Sequence, residues 1–268
     1  MHGIADSAGV ALALPALSIA WAAGLMSIRV ATALVLTPIL QPMSLPATMK
    51  VLLVLGLSLV LVMGLQPVAD LPSSLDAGAL ALASLSEASL GMLLGLGVAS
   101  AFAAVGVAAN LLDVQLGFGL AQVVDPLTRR RIPVLTATFN LIAALAFMMA
   151  DGHHAVLRAL AISVERFPLG EPWPLQMSAG HVIQQFAGLY SLGLALAAPV
   201  MVAVLLTDLA LMVLMRNLPQ MNMFVVGTPL KIVVGLAGLA LWVKGMGAAM
   251  GRIHAFVFHS WAAIFAGN

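Results

Sequence analysis

The stretch that decides the fold is Val182–Thr207, VIQQFAGLYSLGLALAAPVMVAVLLT, the longest run of the chain without a charged residue. An α-helix needs roughly 20 predominantly apolar residues to cross a bilayer core. Backbone groups in lipid have no water to bond, so a helix is the economical conformation for such a run. Val182–Thr207 therefore predicts a membrane-spanning helix.

Further uncharged runs precede and follow this one, separated by polar or proline-rich breaks. None shows the apolar–polar alternation of the roughly ten-residue strands in a transmembrane β-barrel. We therefore predict an all-α polytopic membrane protein with about six long hydrophobic helical segments. We expect residues 1–268 to form a single domain. The other runs are Ala8–Ile28, Val30–Met49, Val51–Ala69, Ala88–Leu112, Ile132–Ala150 and Ile232–Val243.

The composition agrees with a membrane protein. The 268 residues include 11 Lys and Arg and 10 Asp and Glu, which is 8% charged residues against 62% apolar ones. A soluble domain carries about 25% charge, so a soluble enzyme and a disordered chain are excluded. The net charge of +1 offers no basic footprint for nucleic acid. Asp6 is the only charged residue before the first apolar run, whereas a signal peptide begins with a positively charged region. We therefore expect the N-terminus to be retained and not cleaved as a signal peptide.

Sequence motifs of catalysis and ligand binding are missing. The chain has no cysteine, which excludes disulfides and thiolate chemistry. Phosphate-binding loops, zinc-protease motifs and nucleophile elbows do not occur. The segment Asp151–His154 contains metal-ligand residue types, but adjacent histidines on a helix point in different directions. A polar turn leading into an amphipathic helix is favoured there, and we predict no catalytic residue, cofactor or metal.

Small residues form a stripe on one predicted helix. Gly91 and Gly95 have the Gly-x3-Gly spacing, and Ala99 and Ala103 continue the same face. Such a face lets a neighbouring helix approach closely in an apolar medium. The sequence leaves open whether that neighbour belongs to this chain or to another subunit.

Charged residues at the edges of the apolar runs have two interpretations. Glu87, Asp208 and Arg216 could be proton-relay groups of a transporter, or they could form interhelical ion pairs and snorkel at helix ends. The second interpretation is favoured because ions in a membrane are costly and usually paired. The run Arg129–Arg131 predicts an anchor on the cytoplasmic side.

Leu112–Leu120, LDVQLGFGL, is apolar and rich in glycine although it separates two strong helical runs. A surface loop would be polar, so an apolar and flexible backbone at this place indicates a buried or cavity-lining element. A simple interhelical turn explains the segment equally well from the residues alone.

Arg216–Phe224, RNLPQMNMF, is the most distinctive stretch. Pro219 removes a backbone donor and breaks the preceding helix. Gln220 and Asn222 offer amide groups that can bond the freed backbone. Pro229 and Lys231 then open the next segment.

Arg216–Phe224, followed by VVGTPLKI at Val225–Ile232, resembles the signature of the FliR/SctT family of flagellar and type III secretion export proteins. Further matches occur in the family's order, and the resemblance spans about residues 25–245. They are Arg29–Pro46, the Glu-x3-Gly-x3-Gly element Glu87–Gly95, the glycine-rich Gln115–Pro126, Gly152–Ser163 with Pro168, and Ala197–Pro199.

The resemblance implies a non-enzymatic core subunit of a flagellar type III export gate, with its helices arranged as tilted hairpins. It implies partner subunits FliP and FliQ, which form the pore with it, and cooperation with FlhB and FlhA. Unfolded flagellar substrates would cross the bacterial inner membrane through this pore, within the flagellar basal body.

The resemblance also implies roles for particular residues. Asp113–Asp125 would help to plug the closed channel. The implied pore and plug residues are Gln115, Gly117, Phe118, Gly119, Asp125 and Pro126. The implied structural or assembly residues are Glu87, Gly91, Gly95, Gly152, His153, Pro199, Arg216, Pro219, Gln220, Asn222, Phe224, Pro229 and Lys231.

Two other functions stay open. The chain could be the SctT-type subunit of a virulence injectisome, although that branch more often has a serine after the lysine, where Ile232 stands in this sequence. Thr228 is a separate departure, because it replaces the bulky apolar residue that is usual in the family. A small-solute secondary transporter would require inverted repeats with paired broken helices. The sequence has breaks but no repeat, and an intramembrane enzyme would lack any ordered motif.

Overall fold

The computed structural model describes residues 3–38, 46–65, 77–124, 131–173, 175–217 and 223–266. Long helices dominate these residues, and a 3-10 turn (Phe118–Leu120) with two short strands, β1 (Gln122–Val124) and β2 (Arg131–Pro133), separates two of them. The helices are α1 (Gly3–Leu36), α2 (Ala47–Leu65), α3 (Ala77–Leu116), α4 (Val134–Met149), α5 (Gly152–Arg166), α6 (Leu175–Asn217) and α7 (Met223–Ala266).

Among the described residues, five helical segments are long and apolar enough to cross a membrane. Helices α4 and α5 meet at a bend of 63° and make a sixth span if the bent pair is taken as one. The prediction of an all-α polytopic membrane protein with about six segments is therefore confirmed. The five spans are Leu17–Leu36, Ala47–Leu65, Ala77–Leu116, Ala179–Asn217 and Val225–Trp242.

The helix ends differ from the edges of the uncharged runs. Arg29 lies inside α1, Glu87 inside α3 and Lys231 inside α7, so these charges do not end a helix. Each of the three has a partner of opposite charge within the chain, and a paired charge can stay in an apolar helix. Pro229 does not open the last segment either, because α7 already begins at Met223.

The chain divides into two compact units, each built from separate stretches of sequence. The first contains Met1–Gly97, His154–Val182 and Trp261–Asn268, and the second contains Val98–His153 and Ile183–Ser260. The prediction of a single domain stays a prediction. Aliphatic and aromatic side chains with almost no exposed surface form the core of each unit. They include Met26, Val30, Leu90, Leu94 and Leu160 in the first unit, and Leu112, Leu116, Phe147, Leu189, Leu196 and Met250 in the second.

Candidate functional site

The central segment, which we define as the described residues 117–124 and 131–133, begins where α3 ends. Gly117 has a φ of 82°, in the left-handed region, and its N–H donates to the carbonyl of Val114 at 3.3 Å. Residues with a Cβ rarely adopt this conformation, which is why glycine commonly terminates helices. A 3-10 turn follows, closed by the Ala121 N–H donating to the Phe118 carbonyl at 2.9 Å. Gly117 is thus required by the backbone geometry that redirects the chain.

A two-stranded antiparallel ribbon continues the central segment. Val123 pairs with Ile132, and Val124 pairs with Arg131. The strands are exposed along β1 and half-exposed along β2, and 62% of the surface of Val124 is accessible. The ribbon is a short, largely exposed element between α3 and α4, and neither of the two interpretations of the sequence included its pairing.

The base of the central segment rests on α7. The Leu116 side chain has no exposed surface and lies so close to Gly235 that a Cβ on this glycine would overlap it. A Cβ on Gly117 would lie 3.5 Å from the Thr228 Cγ2 atom. The helix end before the turn is therefore packed, while the ribbon beyond it is not.

Asp113 connects the end of α3 to the start of α4. Its carboxylate is fully buried and accepts hydrogen bonds from the Leu135 N–H at 3.0 Å, the Thr136 N–H at 2.8 Å and the Thr136 hydroxyl at 2.7 Å. Pro133, at the N-cap position of α4, makes no side-chain cap hydrogen bond. Asp113 therefore caps α4 from a distant part of the sequence, a role that no local spacing could reveal.

The structure places four of the implied pore residues in one continuous stretch, with Gln115 in the last turn of α3 and the other three in the turn that follows. Gln115 is half-buried, and its Oε1 atom is enclosed without a hydrogen-bond partner. Phe118 is half-buried, and a Cβ on Gly119 would meet nothing within 4 Å. Gly117 completes the group, whereas Asp125 and Pro126 lie outside the described residues. The plug role of these residues stays a prediction.

A buried ion pair holds the first unit together. The Arg29 Nε donates to the Glu87 Oε2 at 2.6 Å, and both side chains have 0% exposed surface. Arg29 also donates to the Ser163 Oγ at 3.0 Å and to the Phe167 carbonyl at 3.1 Å. The second carboxylate oxygen of Glu87 accepts from the Gly170 N–H at 2.9 Å. Glu87 is thus in the interhelical ion pair that the sequence favoured over a proton relay.

Gly91 and Gly95 lie where α3 crosses α1. A Cβ on Gly91 would overlap the Thr32 hydroxyl and the Arg29 carbonyl oxygen. A Cβ on Gly95 would lie 2.7 Å from both the Ala33 carbonyl oxygen and the Leu36 Cβ. The neighbour of the Gly-x3-Gly face is therefore a helix of the same chain, and the close contact positions Arg29 opposite Glu87.

Gly152 begins α5 after a turn at Asp151, whose φ is 53°. This is the polar turn predicted from the sequence, and a Cβ on Gly152 would overlap the Phe147 ring. The Phe147 ring meets His254 edge-on, with ring centroids 5.3 Å apart. Burial lowers the pKa of His254, because a charged imidazole would lose its hydration there.

Asp151, His153 and His154 bring potential metal-ligand atoms within 4.8 Å of one another. They are neighbours on one turn, His153 is half-buried, the other two are exposed, and all three make contacts within the protein. The prediction that this cluster is a polar turn and not a metal site stays a prediction.

An ion pair joins α6 to α7. The Lys231 Nζ lies 2.5 Å from the Asp208 Oδ1. Both side chains are half-buried, with 23% of the Lys231 side chain and 32% of the Asp208 side chain exposed. Pro199 lies inside α6, and the Trp242 Nε1–H of α7 donates to the neighbouring Leu196 carbonyl at 3.0 Å. These polar contacts fix the two apolar helices in one register.

The remaining implied assembly residues lie at the α6–α7 connection. Arg216 is exposed in the last turn of α6, Pro229 is exposed on α7, and Phe224 belongs to the first turn of α7. Pro219, Gln220 and Asn222 lie outside the described residues.

Four similarities to known proteins bear on the kind of protein. The family model described as bacterial export proteins, family 1, matches residues 20–256. The flagellar biosynthetic protein FliR of Escherichia coli is 32% identical over 243 residues, which cover 89% of this chain and 87% of the relative. FliR of Bacillus subtilis is 30% identical over 214 residues, covering 78% and 81%. The surface presentation of antigens protein SpaR of Shigella flexneri is 31% identical over 135 residues, about half of each chain.

The described residues form long apolar helices, and the family model of bacterial export proteins matches most of the chain, so the protein is an integral membrane protein of a bacterial export apparatus. The chain belongs to the bacterial export proteins, family 1, the FliR/SctT family whose signature its sequence carries.

Proposed function

We propose that this chain is a non-enzymatic core subunit of the flagellar type III protein export gate in the bacterial inner membrane. The observation that carries the proposal is the similarity to FliR proteins across most of both chains. The sequence supports the non-enzymatic role because it contains no nucleotide-binding or catalytic motif. The energy for export would therefore come from another component.

We propose FliP and FliQ as the subunits with which the chain forms the pore, and FlhA and FlhB as further partners in the basal body. Unfolded flagellar proteins are the proposed cargo. The central segment supports a place beside their path, because it is an exposed ribbon on a tightly turned glycine, attached to the buried end of α3. In this proposal the segment closes the resting pore.

The test of the closing role is Gly117→Asp, expressed in cells that lack the native gene. The left-handed backbone of Gly117 disfavours Asp by about 1 kcal/mol, because Asp tolerates this conformation better than most residues with a Cβ. A cost of that size corresponds to a roughly fivefold shift of the open–closed equilibrium. We expect altered secretion of flagellar proteins, measured in the culture medium, and an increased ion leak across the membrane.

Gly180→Asp is the matched control, because Gly180 is an exposed helical glycine of α6 with nothing within 4 Å of its Cβ position. It is expected to leave secretion and leak unchanged. Secretion and leak that also stay unchanged in Gly117→Asp cells would remove the central segment from the closing role.

The injectisome subunit is a second candidate, because SpaR matches half of this chain at 31% identity. The flagellar assignment is preferred, since the FliR relatives match over a much larger share and Ile232 follows Lys231. Complementation decides between the two: restored motility in a strain lacking FliR supports the flagellar gate, and restoration of injectisome secretion alone supports the other.

A further inference from the structure

We propose that Asp113 is a positioning residue that latches the base of the central segment. Its carboxylate holds the end of α3 against the start of α4, and so it restrains the ribbon that lies between them. The inference rests on the proposed function in one respect: the latched segment is the element proposed to close the pore.

The N-terminus of α4 needs hydrogen-bond acceptors, and Asp113 supplies them. The first N–H groups of a helix have no intrahelical acceptor and need a cap. Pro133 makes no side-chain cap bond, and the N–H groups of Leu135 and Thr136 both donate to the Asp113 carboxylate. A negative charge is also favoured at the positive end of the helix dipole. Asp113 is therefore matched to this helix end in both hydrogen bonding and charge.

Asp113 also joins the two ends of the chain segment that contains the ribbon. The chain leaves Asp113, forms the turn and the ribbon, and returns to Asp113 at Leu135 and Thr136. The three hydrogen bonds thus close a loop at its base. Val123 and Val124 in the ribbon are exposed, so packing contributes little restraint there, while the latch is fully buried. Breaking the latch should loosen the ribbon more than it loosens the helices.

The experiment measures the mobility of the ribbon in the purified full-length chain in detergent. The chain has no cysteine, so Val124→Cys gives a single attachment site for a nitroxide spin label on an exposed residue of β1. With Asp113→Ala, we expect the mobile fraction of the label to rise roughly tenfold or more. That factor corresponds to the loss of one charge-assisted hydrogen bond. Glu165→Ala, which removes an exposed carboxylate from α5, is expected to leave the label unchanged.

A second pair of variants tests the latch without removing the carboxylate. Thr136→Val deletes the hydroxyl that donates to Asp113, whereas Thr138→Val deletes an exposed hydroxyl in the same helix that bonds only the Val134 carbonyl among the described contacts. We expect increased label mobility for Thr136→Val and no change for Thr138→Val. This pair decides the question if Asp113→Ala does not fold.

The coupling between the two residues distinguishes a latch from general destabilisation. Thr136→Val should add nothing in an Asp113→Ala background, because the hydroxyl has then lost its acceptor. Additive effects, or label mobility that stays unchanged in both single variants while they remain folded, would overturn the proposal.

A leak assay in cells separates this inference from the proposed function. A more mobile ribbon without ion leak in Asp113→Ala would keep the latch and contradict the closing role. A leak in Gly117→Asp with an unaffected ribbon in Asp113→Ala would keep the closing role and contradict the latch.

Discussion

Among single residues, the buried charged side chain of Arg29 is stabilised by partners within the chain. Arg29 has no exposed surface, yet its guanidinium bonds Glu87, Ser163 and the Phe167 carbonyl. Removing one member of a buried pair leaves the other charge without compensation, which costs far more than the pair itself contributes. The Arg29–Glu87 pair is therefore a sensitive point of the first unit.

We predict that Arg29→Met lowers the free energy of unfolding by about 3–5 kcal/mol, because it strands the buried Glu87 carboxylate. Thermal or denaturant unfolding of the purified chain in detergent measures the change. Arg158→Met is the matched control: this arginine is exposed on α5 and should change stability by less than about 0.5 kcal/mol.

The double variant Arg29→Met, Glu87→Met is expected to be more stable than Arg29→Met alone, since no charge stays buried. Two outcomes would contradict this role of the pair. One is an equal loss of unfolding free energy in Arg29→Met and Arg158→Met, and the other is a double variant that is less stable than Arg29→Met alone.

The sequence could predict that the few charges in apolar runs are paired, because an unpaired ion in that setting is too costly. It could not predict which charges pair, since Arg29 and Glu87 are far apart in the chain and meet only after folding. The same limit applies to Asp113, because the N–H groups and the hydroxyl that donate to its carboxylate reach it only through where α3 ends and α4 begins. The sequence predicts a flexible backbone around Gly117, and the structure shows that this glycine has a positive φ.

At the scale of elements, close helix contact depends on particular glycines. Gly95 faces the backbone of α1 at a distance that leaves no space for a methyl group. Gly24 lies in α1 itself, is exposed, and has nothing within 4 Å of its Cβ position. The two positions have the same residue type and opposite environments.

We predict that Gly95→Ala destabilises the chain and Gly24→Ala does not. The added methyl group at Gly95 overpacks the α1–α3 contact at a cost of about 1–3 kcal/mol. At Gly24 the gain in helix propensity amounts to about 1 kcal/mol in favour of the folded state. Unfolding of both variants in detergent measures the difference, and an equal or reversed effect would contradict the packing seen between these helices.

The helices were predictable as elements because long apolar runs allow no other backbone in lipid. Their bounds are harder to predict, because α1, α3 and α7 continue through the charged residues that end their uncharged runs. The ribbon was missed for a different reason. Its strands have three residues each, which is too short for an alternating pattern.

At the scale of the whole molecule, the chain exposes more apolar surface than water would tolerate. The exposed fraction is 68% for Leu52 on α2, 64% for Val213 on α6 and 84% for Leu241 on α7. Helices α2, α6 and α7 therefore need either lipid or other subunits around them. The low content of charged residues is consistent with both, and the proposed assembly with FliP and FliQ would cover part of these faces with protein.

The assignment of this chain as one subunit of a hetero-oligomeric export gate is a proposal that purification can test. Its most direct test is to express the chain together with the FliP and FliQ proteins of the same bacterium, purify it by a tag on this chain alone, and weigh the product by native mass spectrometry. The account predicts a defined complex that contains all three subunits in a fixed ratio. A stable, folded monomer that leaves FliP and FliQ behind would contradict it.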